Sequence, residues 1–204
     1  MRILMINYEY PPLGGGGGVA ACKLAEAWVQ QGHEVDVVTT HYRGLALEET
    51  QKGVRIFRVP VLNRKDLATA TLFSMVSFPY LGRKIVKKLF QQKSYDVIQT
   101  HFAVPSGPLG VWASKKFKVP QVLFIHGGDI YDPSKKLSPH RWGIFRGVVR
   151  RILNQSQRVL CQSQNTRQNA IAFYRYEKPI TVVPLGFEPP KTLPSKTRKD
   201  LGFS

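Results

Sequence analysis

The sequence predicts an α/β fold, a doubly wound and mainly parallel Rossmann-like sheet, and three observations lead to it. The apolar run Ile3–Ile6 is followed by chain-breaking residues, by five consecutive glycines from Gly14 to Gly18 and then by an amphipathic helical stretch. The same strand, loop and helix order recurs along the chain. Because parallel neighbours need long crossover connections, such alternation is typical of βαβ units.

Each element follows from local patterning. Runs rich in β-branched and apolar residues predict further strands at Glu34–Thr40, Val54–Val61, Asp96–Thr100, Gln121–Ile125, Arg158–Gln162 and Ile180–Pro184. Apolar residues spaced three and four apart predict helices from Val19 to a stop at Gly32, and at Leu67–Gln92, Pro108–Lys116, Pro139–Asn154 and Gln164–Tyr174. We expect the long second helix, which is basic in its second half, to break or kink at Pro79.

Length and composition bound the organisation. At 204 residues the chain exceeds a typical domain of about 100–150 residues and falls short of two. We expect one compact domain over residues 1–186, because a proline-rich stretch follows Gly186. Residues 187–204 are interpreted as a linker and the start of a missing C-terminal domain. With 43% hydrophobic and 21% charged residues, the chain is neither collagen-like, nor a disulfide scaffold, nor wholly disordered.

Net charge limits the classes of binding partner that we expect, and cysteine usage bears on the cellular compartment. Thirty basic and 13 acidic residues give a net charge of +17, which indicates an anionic partner. No helix-turn-helix, zinc-finger or aromatic sheet signature accompanies it, so nucleic acid is not the expected partner. Cys22 and Cys161 are far apart in the sequence and lack the spacing of metal ligands, so neither a disulfide framework nor a zinc site is indicated. With no signal peptide and no apolar run near ~18 residues, the predicted location is cytoplasmic, with membrane contact at most peripheral.

The loop after the first strand is the first candidate site. In open α/β sheets ligands bind beyond the carboxyl ends of the strands. The glycines there would let backbone N–H groups approach a phosphate at a helix N-terminus; the alternative is a flexible surface loop. A dinucleotide site is disfavoured because Thr39–Thr40–His41 lacks the acidic residue that holds a ribose, and no Gly-Lys-Ser/Thr follows to make a P-loop.

Two histidines follow later strands. His101 ends the strand predicted at Asp96–Thr100, where the alternative is a structural histidine. In His126–Gly127–Gly128–Asp129 an imidazole follows an apolar strand, and Asp129 is placed to orient it or a sugar hydroxyl. The alternative here is a capped turn with a satisfied histidine. These loops indicate a polar site at one edge of the sheet.

Taken together, these segments resemble the N-terminal half of the family 4 glycosyltransferases, the retaining group with two Rossmann-like domains known as the GT-B fold. The matching motifs, in order, are Tyr8–Glu9–Tyr10–Pro11–Pro12 leading into Gly14–Gly15–Gly16, then Tyr95–Asp96–Val97–Ile98–Gln99–Thr100–His101, Phe124–Ile125–His126–Gly127–Gly128–Asp129 and Ile180–Thr181–Val182–Val183–Pro184–Leu185–Gly186–Phe187–Glu188. Leu185 stands where the family's usual Pro-Asn-Gly motif has its asparagine.

The resemblance implies an activity and a division of labour. A hexose would pass from a UDP- or GDP-sugar to a hydroxyl with retained configuration, with no metal and no cofactor besides the nucleotide-sugar co-substrate. This half would bind mainly the acceptor, and the chain's own C-terminal domain would bind the donor, so the fragment alone is expected to be inactive. The alternative function is a non-catalytic sugar- or nucleotide-sugar-binding domain.

The resemblance also implies roles for individual residues. Gly15 and Gly16 match the loop that approaches the donor diphosphate, and His126 matches a histidine near the transferred sugar. Asp129 is taken with His126 as catalytic, and Glu9 and His101 as neighbours of acceptor and donor. A glycosidase-like carboxylate pair is the alternative mechanism, but no convincing nucleophile is present.

The basic residues are unevenly distributed. From Pro133 to Tyr176 the sequence has no acidic residue. The helix predicted at Pro139–Asn154 places Trp142 and Phe145 near several arginines, which suits an anionic membrane surface and a lipid-linked or phosphorylated acceptor. The alternative is an apolar stripe that faces the core, with solvated arginines around it.

Overall fold

A computed structural model describes residues 1–67, 69–134 and 138–186, and they form one sheet flanked by helices. The strands are β1 Arg2–Asn7, β2 Glu34–Thr40, β3 Glu48–Gln51, β4 Val54–Val59, β5 Val97–His101, β6 Gln121–Ile125, β7 Arg158–Cys161 and β8 Ile180–Val182. The helices are α1 Gly16–Gln30, α2 Leu72–Gln92, α3 Gly107–Phe117, α4 Gly143–Gln155 and α5 Gln164–Tyr174. The predicted linker at 187–204 lies outside the described residues.

The sheet has eight strands in the order β3-β4-β2-β1-β5-β6-β7-β8. Every pair is parallel except β3 with β4. The predicted fold class, a doubly wound and mainly parallel Rossmann-like sheet, is therefore confirmed. From β1 the chain first builds outward through β2 and β4, then returns to place β5 on the other side of β1. The carboxyl ends of β1 and β5 thus form the topological switch point, where such folds bind ligands.

The two faces of the sheet bury different helices. Helix α1 packs through Ala21 and Ala25 onto alternate residues of β1, β2 and β4, such as Ile3 and Met5. Helices α2 and α3 cover the opposite face over Leu4 and Ile6, and α4 and α5 continue that layer over β6 and β7. The period of two along each strand explains why both faces are apolar. Among the described helices, none is long and apolar enough to span a membrane.

One strand was not predicted. β3 runs antiparallel to β4 at the edge of the sheet, and its residues are polar and largely exposed, so no apolar alternation reveals it. The turn that joins the two strands is Lys52–Gly53, with φ of 47° and 82°. Positive φ at both central residues is typical of the tight hairpin turns that match strand twist.

Three predicted helix starts were wrong, including that of α2, which begins at Leu72 rather than Leu67. α1 begins at Gly16 rather than Val19, so three glycines form its first turn. Glycine is a poor helix former, but close contacts require it here: a Cβ on Gly17 would collide with the ring of Phe102, and one on Gly18 would lie 3.1 Å from the carbonyl oxygen of Leu13. The helix predicted at Pro139–Asn154 is instead a 3-10 turn at Pro139–Arg141, followed by α4 from Gly143.

The predicted break at Pro79 was also wrong, because α2 continues through it from Leu72 to Gln92. Its start is set by Thr71, whose hydroxyl accepts a 3.2 Å hydrogen bond from the Ser74 amide. An interior proline costs a helix about 3 kcal/mol. Phe78 and Val86, on either side of Pro79, are fully buried against the sheet, and this packing offsets the lost hydrogen bond.

Replacement of Gly110 by alanine tests the close contact between α3 and the sheet. A Cβ on Gly110 would collide with the Thr100 hydroxyl and lie 2.5 Å from Gln121 Nε2, two groups that are hydrogen-bonded to each other. We expect Gly110→Ala to lower the free energy of unfolding by about 1–3 kcal/mol, measured by urea denaturation.

The matched control is Gly147→Ala, in the interior of α4, where an added Cβ meets nothing within 4 Å. This change should raise stability by about 0.5–1 kcal/mol because alanine favours the helix. If both variants gave the same change in stability, α3 would not lie against Thr100 as described.

Candidate functional site

The glycine-rich loop forms a helix N-terminus at the carboxyl end of β1. The Gly15 amide donates to Glu9 Oε2 at 3.1 Å, whereas the amides of Gly16 and Gly17 find no acceptor among the described residues. Gly15 and Gly16 are both exposed. Glu9 therefore occupies one amide of the helix start, and Gly16 offers a free one. Free amides at a helix N-terminus favour an anion.

Phe102, which sequence reasoning missed, joins this loop to the rest of the site. It follows β5 with φ of +69°, a conformation that is strained for an aromatic residue and concentrates at functional sites. Its ring lies against Gly17, and its centroid is 4.5 Å from that of the His126 ring. No sequence pattern marks a positive φ at a phenylalanine, so only the fold reveals this role.

The two predicted histidines form a buried pair. His101 ends β5 and His126 follows β6, and Nδ1 of His101 lies 2.9 Å from Nε2 of His126. Only 1% of His101 and 8% of His126 is exposed. Burial lowers the pKa of His126 to about 4. Burial, and then repulsion from His126, lower the pKa of His101 well below its ordinary value. Both imidazoles are therefore neutral at pH 7, and one donates to the other.

Asp129 acts on the backbone of this site rather than on an imidazole ring. Its Oδ2 accepts from the Ala103 amide at 2.6 Å, and its Oδ1 accepts from the His126 amide at 2.9 Å. Burial raises the pKa of this carboxyl to about 6, although these backbone hydrogen bonds oppose the shift. One side chain thereby ties the loop after β5 to the loop after β6.

The carbonyl side of His126 is held as well. Gln162, directly after β7, donates from Nε2 to the His126 carbonyl oxygen at 2.7 Å. The next residue, Gly127, has φ of +97°, which favours glycine. Sequence reasoning missed Gln162 because a lone glutamine in a polar stretch carries no pattern. The backbone of His126 is thus fixed at both its amide and its carbonyl.

The predicted site residues all lie along the carboxyl ends of β1, β5 and β6. Glu9, Gly15 and Gly16 share the first loop. His126 contacts both His101 and Asp129, since its ring lies against that of His101 and its amide donates to Asp129. Phe102 spans the two groups. Within the described ranges, no cluster of three or more His, Cys, Asp or Glu side chains is arranged to hold a metal ion. Chemically, the site offers free amides for an anion and a neutral imidazole for a hydrogen bond.

The buried groups make stability depend on pH in a way that can be measured. Below about pH 6.5 the histidines gain protons when unfolded and not when folded, so stability falls as the pH falls. Asp129, with a pKa near 6 when folded against about 4 unfolded, acts in the opposite direction. Counting these three groups, the unfolded chain gains about one proton more than the folded chain over this range. We expect the free energy of unfolding to fall by ~1.4 kcal/mol per pH unit between about pH 6 and 4.5.

Removing the titration of Asp129 should steepen that dependence. In Asp129→Asn the opposing proton is absent, so we expect roughly twice the slope, in addition to a loss of about 1–3 kcal/mol at pH 7 for the amide left without an acceptor. Asp132→Asn is the control, since Asp132 accepts from Ser134 in a surface turn. A slope unaffected by Asp129→Asn would contradict the raised pKa of Asp129.

Comparison with known proteins supports what the geometry indicates. A family model described as a glycosyl transferase 4-like domain matches residues 15–186. The chain is 38% identical over 138 residues to an uncharacterized glycosyltransferase of Methanocaldococcus jannaschii, covering 64% of this chain and 32% of that protein. It is 26% identical over 190 residues to the alpha-monoglucosyldiacylglycerol synthase of Streptococcus pneumoniae, covering 92% and 41%.

Among solved structures, sucrose-phosphate synthase from Thermosynechococcus elongatus has the same fold, with a TM-score of 0.68 at 19% identity over 90% of this chain and 47% of that one. The chain thus spans less than half of the length of each of these three proteins. The family model, in contrast, covers most of the chain and includes every strand from β2 to β8. The chain therefore belongs to the glycosyl transferase 4-like family, with the Rossmann-like architecture of the GT-B glycosyltransferases.

Proposed function

We propose that this chain is the acceptor-side half of a hexosyltransferase that moves a sugar from a UDP- or GDP-sugar to a hydroxyl with retention of configuration. One observation carries the proposal. At the switch point between β1 and β5, the helix start that carries the free amide of Gly16 contacts the ring of Phe102 through Gly17, and that ring lies 4.5 Å from the imidazole of His126. An anion-binding helix start and a hydrogen-bonding group thus stand side by side.

This arrangement suits a nucleotide-sugar donor. The leaving group is a nucleoside diphosphate, and free amides at the N-terminus of α1 would stabilise its charge without a metal ion. Gly16 is the better candidate for this contact, because the Gly15 amide already donates to Glu9. His126 is neutral and fixed through its backbone, so its ring is preorganised to hydrogen-bond a sugar hydroxyl.

The donor's base and most of its contacts are assigned to a C-terminal domain. Such a domain would close over the edge of the sheet and exclude water, which suppresses hydrolysis of the donor. The second candidate function, a non-catalytic domain that binds a sugar or nucleotide sugar, uses the same surface without that closure. The two differ in whether the whole protein transfers the sugar.

The test is transfer by the full-length protein. With UDP- and GDP-hexoses and a set of hydroxyl acceptors, we expect product formation and a loss of about 100-fold or more in kcat for His126→Ala, the magnitude typical of a preorganised hydrogen-bonding group. His140→Ala is the control, since His140 lies in the surface turn at Pro139–Arg141. Circular dichroism of each variant verifies folding. Donor binding without transfer would favour the binding-domain function, and full activity of a folded His126→Ala enzyme would remove His126 from the site.

The acceptor is proposed to be lipid-linked and the protein to contact an anionic membrane from the cytoplasmic side. A relative is named as a synthase of a glucosyl diacylglycerol. In the structure, large apolar side chains at the start of α2 and α4 point outward, with Phe73 66%, Trp142 53% and Ile144 83% exposed. The apolar residues of α4 therefore fall into two groups. Val149 and Ile152 are buried in the core, whereas Trp142 and Ile144, at the start of the helix, are exposed.

Basic side chains occupy the second half of α2, about three turns beyond Phe73. A groove of about 790 Å³ between α2 and the β3–β4 hairpin is lined by Arg83, Lys84, Lys87 and Lys88 with a single acidic residue, Glu48. Both helices begin at the carboxyl edge of the sheet, next to the candidate site. Exposed apolar groups and cations on one helix are typical of surfaces that bind anionic lipid.

Vesicle binding tests the membrane proposal. We expect the full-length protein to bind phosphatidylglycerol-rich vesicles at low salt, to bind less at high salt because surface charges are screened, and to lose affinity roughly tenfold in the double variant Phe73→Glu, Ile144→Glu. Ile171→Glu is the control, because Ile171 is also an exposed apolar residue, at 47%, but lies on α5. Binding that changes neither with salt nor with the double substitution would refute the proposed membrane contact through the starts of α2 and α4.

A further inference from the structure

Two buried polar atoms without partners lie on neighbouring strands, and one of them belongs to the histidine pair. Nδ2 of Asn7 and Nε2 of His101 are both sealed from solvent, and neither has a hydrogen-bond partner among the described residues. Asn7 is fully buried and His101 is 1% exposed. Buried groups of this kind cost free energy unless satisfied, so each calls for an explanation.

The strand register places these two side chains together. Asn7 ends β1, His101 ends β5, and the two are direct partners across the parallel pair. Partners in register point to the same face of a sheet. β5 lies between β1 and β6, and Nδ1 of His101 is directed toward His126, beyond β6. Nε2 is therefore on the ring edge away from His126, on the side of Asn7.

The chemistry of the two atoms is complementary. Oδ1 of Asn7 accepts from the Glu9 amide at 3.3 Å, which fixes the amide orientation and leaves Nδ2 as a pure donor. Nε2 of His101 is an acceptor when the proton of that ring sits on Nδ1. A water that accepts from Asn7 has a hydrogen left to donate, and Nε2 is the buried acceptor beside it.

We infer that Asn7 and His101 are positioning residues that set the tautomer of His126 through a hydrogen-bonded relay. Asn7 donates, directly or through one water, to Nε2 of His101. His101 then carries its proton on Nδ1 and donates to Nε2 of His126, and His126 in turn carries its proton on Nδ1. Nδ1 of His126 has no partner in the described part of the chain and is not among the sealed atoms, so it presents an N–H to the cleft.

This relay determines what His126 does. Its exposed nitrogen is a hydrogen-bond donor, suited to an oxygen of a sugar, and its other nitrogen is occupied by His101 and is not available as a general base. The neutral state of both rings at pH 7, which burial enforces, keeps one proton per ring and so makes the relay directional. The contact with a sugar rests on the proposed function, but the tautomers exist without substrate.

The test is ¹⁵N NMR of the full chain labelled at histidine. In the wild type we expect both His101 and His126 to be protonated on Nδ1. Asn7→Asp replaces the donor by a carboxylate that only accepts, so both rings should switch to Nε2-protonated forms. Asn154→Asp, an exposed substitution on α4, should leave both unchanged. In His101→Phe, His126 should lose the Nδ1 preference because its Nε2 no longer accepts a hydrogen bond from His101.

A wild-type His101 protonated on Nε2 would overturn the relay without any variant, even if Asn7→Asp failed to fold. A folded Asn7→Asp protein with unchanged tautomers would overturn it too. Because these spectra need no substrate, they separate failure of the relay from failure of the proposed transferase activity. If the full-length protein transfers sugar and the relay holds, Asn7→Asp should also lower kcat more than it raises the KM for the donor.

Discussion

The pairing of β1 with strands on both of its edges is the constraint from which the site follows. β1 pairs in parallel with β2 on one side and with β5 on the other, so the chain must leave β1 in one direction and later return in the other. The loops after β1 and β5 consequently diverge and leave a crevice between them. The glycine-rich start of α1 and the aromatic ring of Phe102 meet at that crevice. Neither loop would reach the other if β5 were added at an outer edge.

Rigidity around this crevice comes from side chains that bind backbone rather than from a metal or a disulfide among the described residues. Asp129 accepts hydrogen bonds from amides of two loops, and Gln162 donates to the His126 carbonyl in the second of them. Burial disfavours the charged form of this carboxyl, and the hydrogen bonds to its oxygens offset part of that cost. The backbone of His126 is thereby fixed, and His101 holds its imidazole ring through Nε2. Such a support shell is what a preorganised site requires.

The sequence predicted the strands well because most are buried on both faces and therefore rich in β-branched residues. It also placed Gly16, His101 and His126 at one edge, because the carboxyl ends of parallel strands coincide. What it did not predict depends on tertiary contact. β3 is polar, α2 is continuous through Pro79 because buried residues pack on both sides of it, and close contacts with Phe102 and Leu13 require glycine at Gly17 and Gly18. The backbone conformation of Phe102 and the reach of Gln162 have no local signature.

The antiparallel strand β3 has a consequence for the behaviour of the protein in solution. A parallel sheet of apolar strands exposes a row of unpaired backbone groups at each edge, which is a template for association with another chain. Here the outer edge beside β4 is occupied by a four-residue strand that carries Glu48 and Glu49, and Glu48 pairs with Lys88 at 2.8 Å. Short, charged edge strands are a recurrent protection against edge-to-edge aggregation. Loss of this hairpin would therefore lower the solubility of the protein even if the candidate site remained intact.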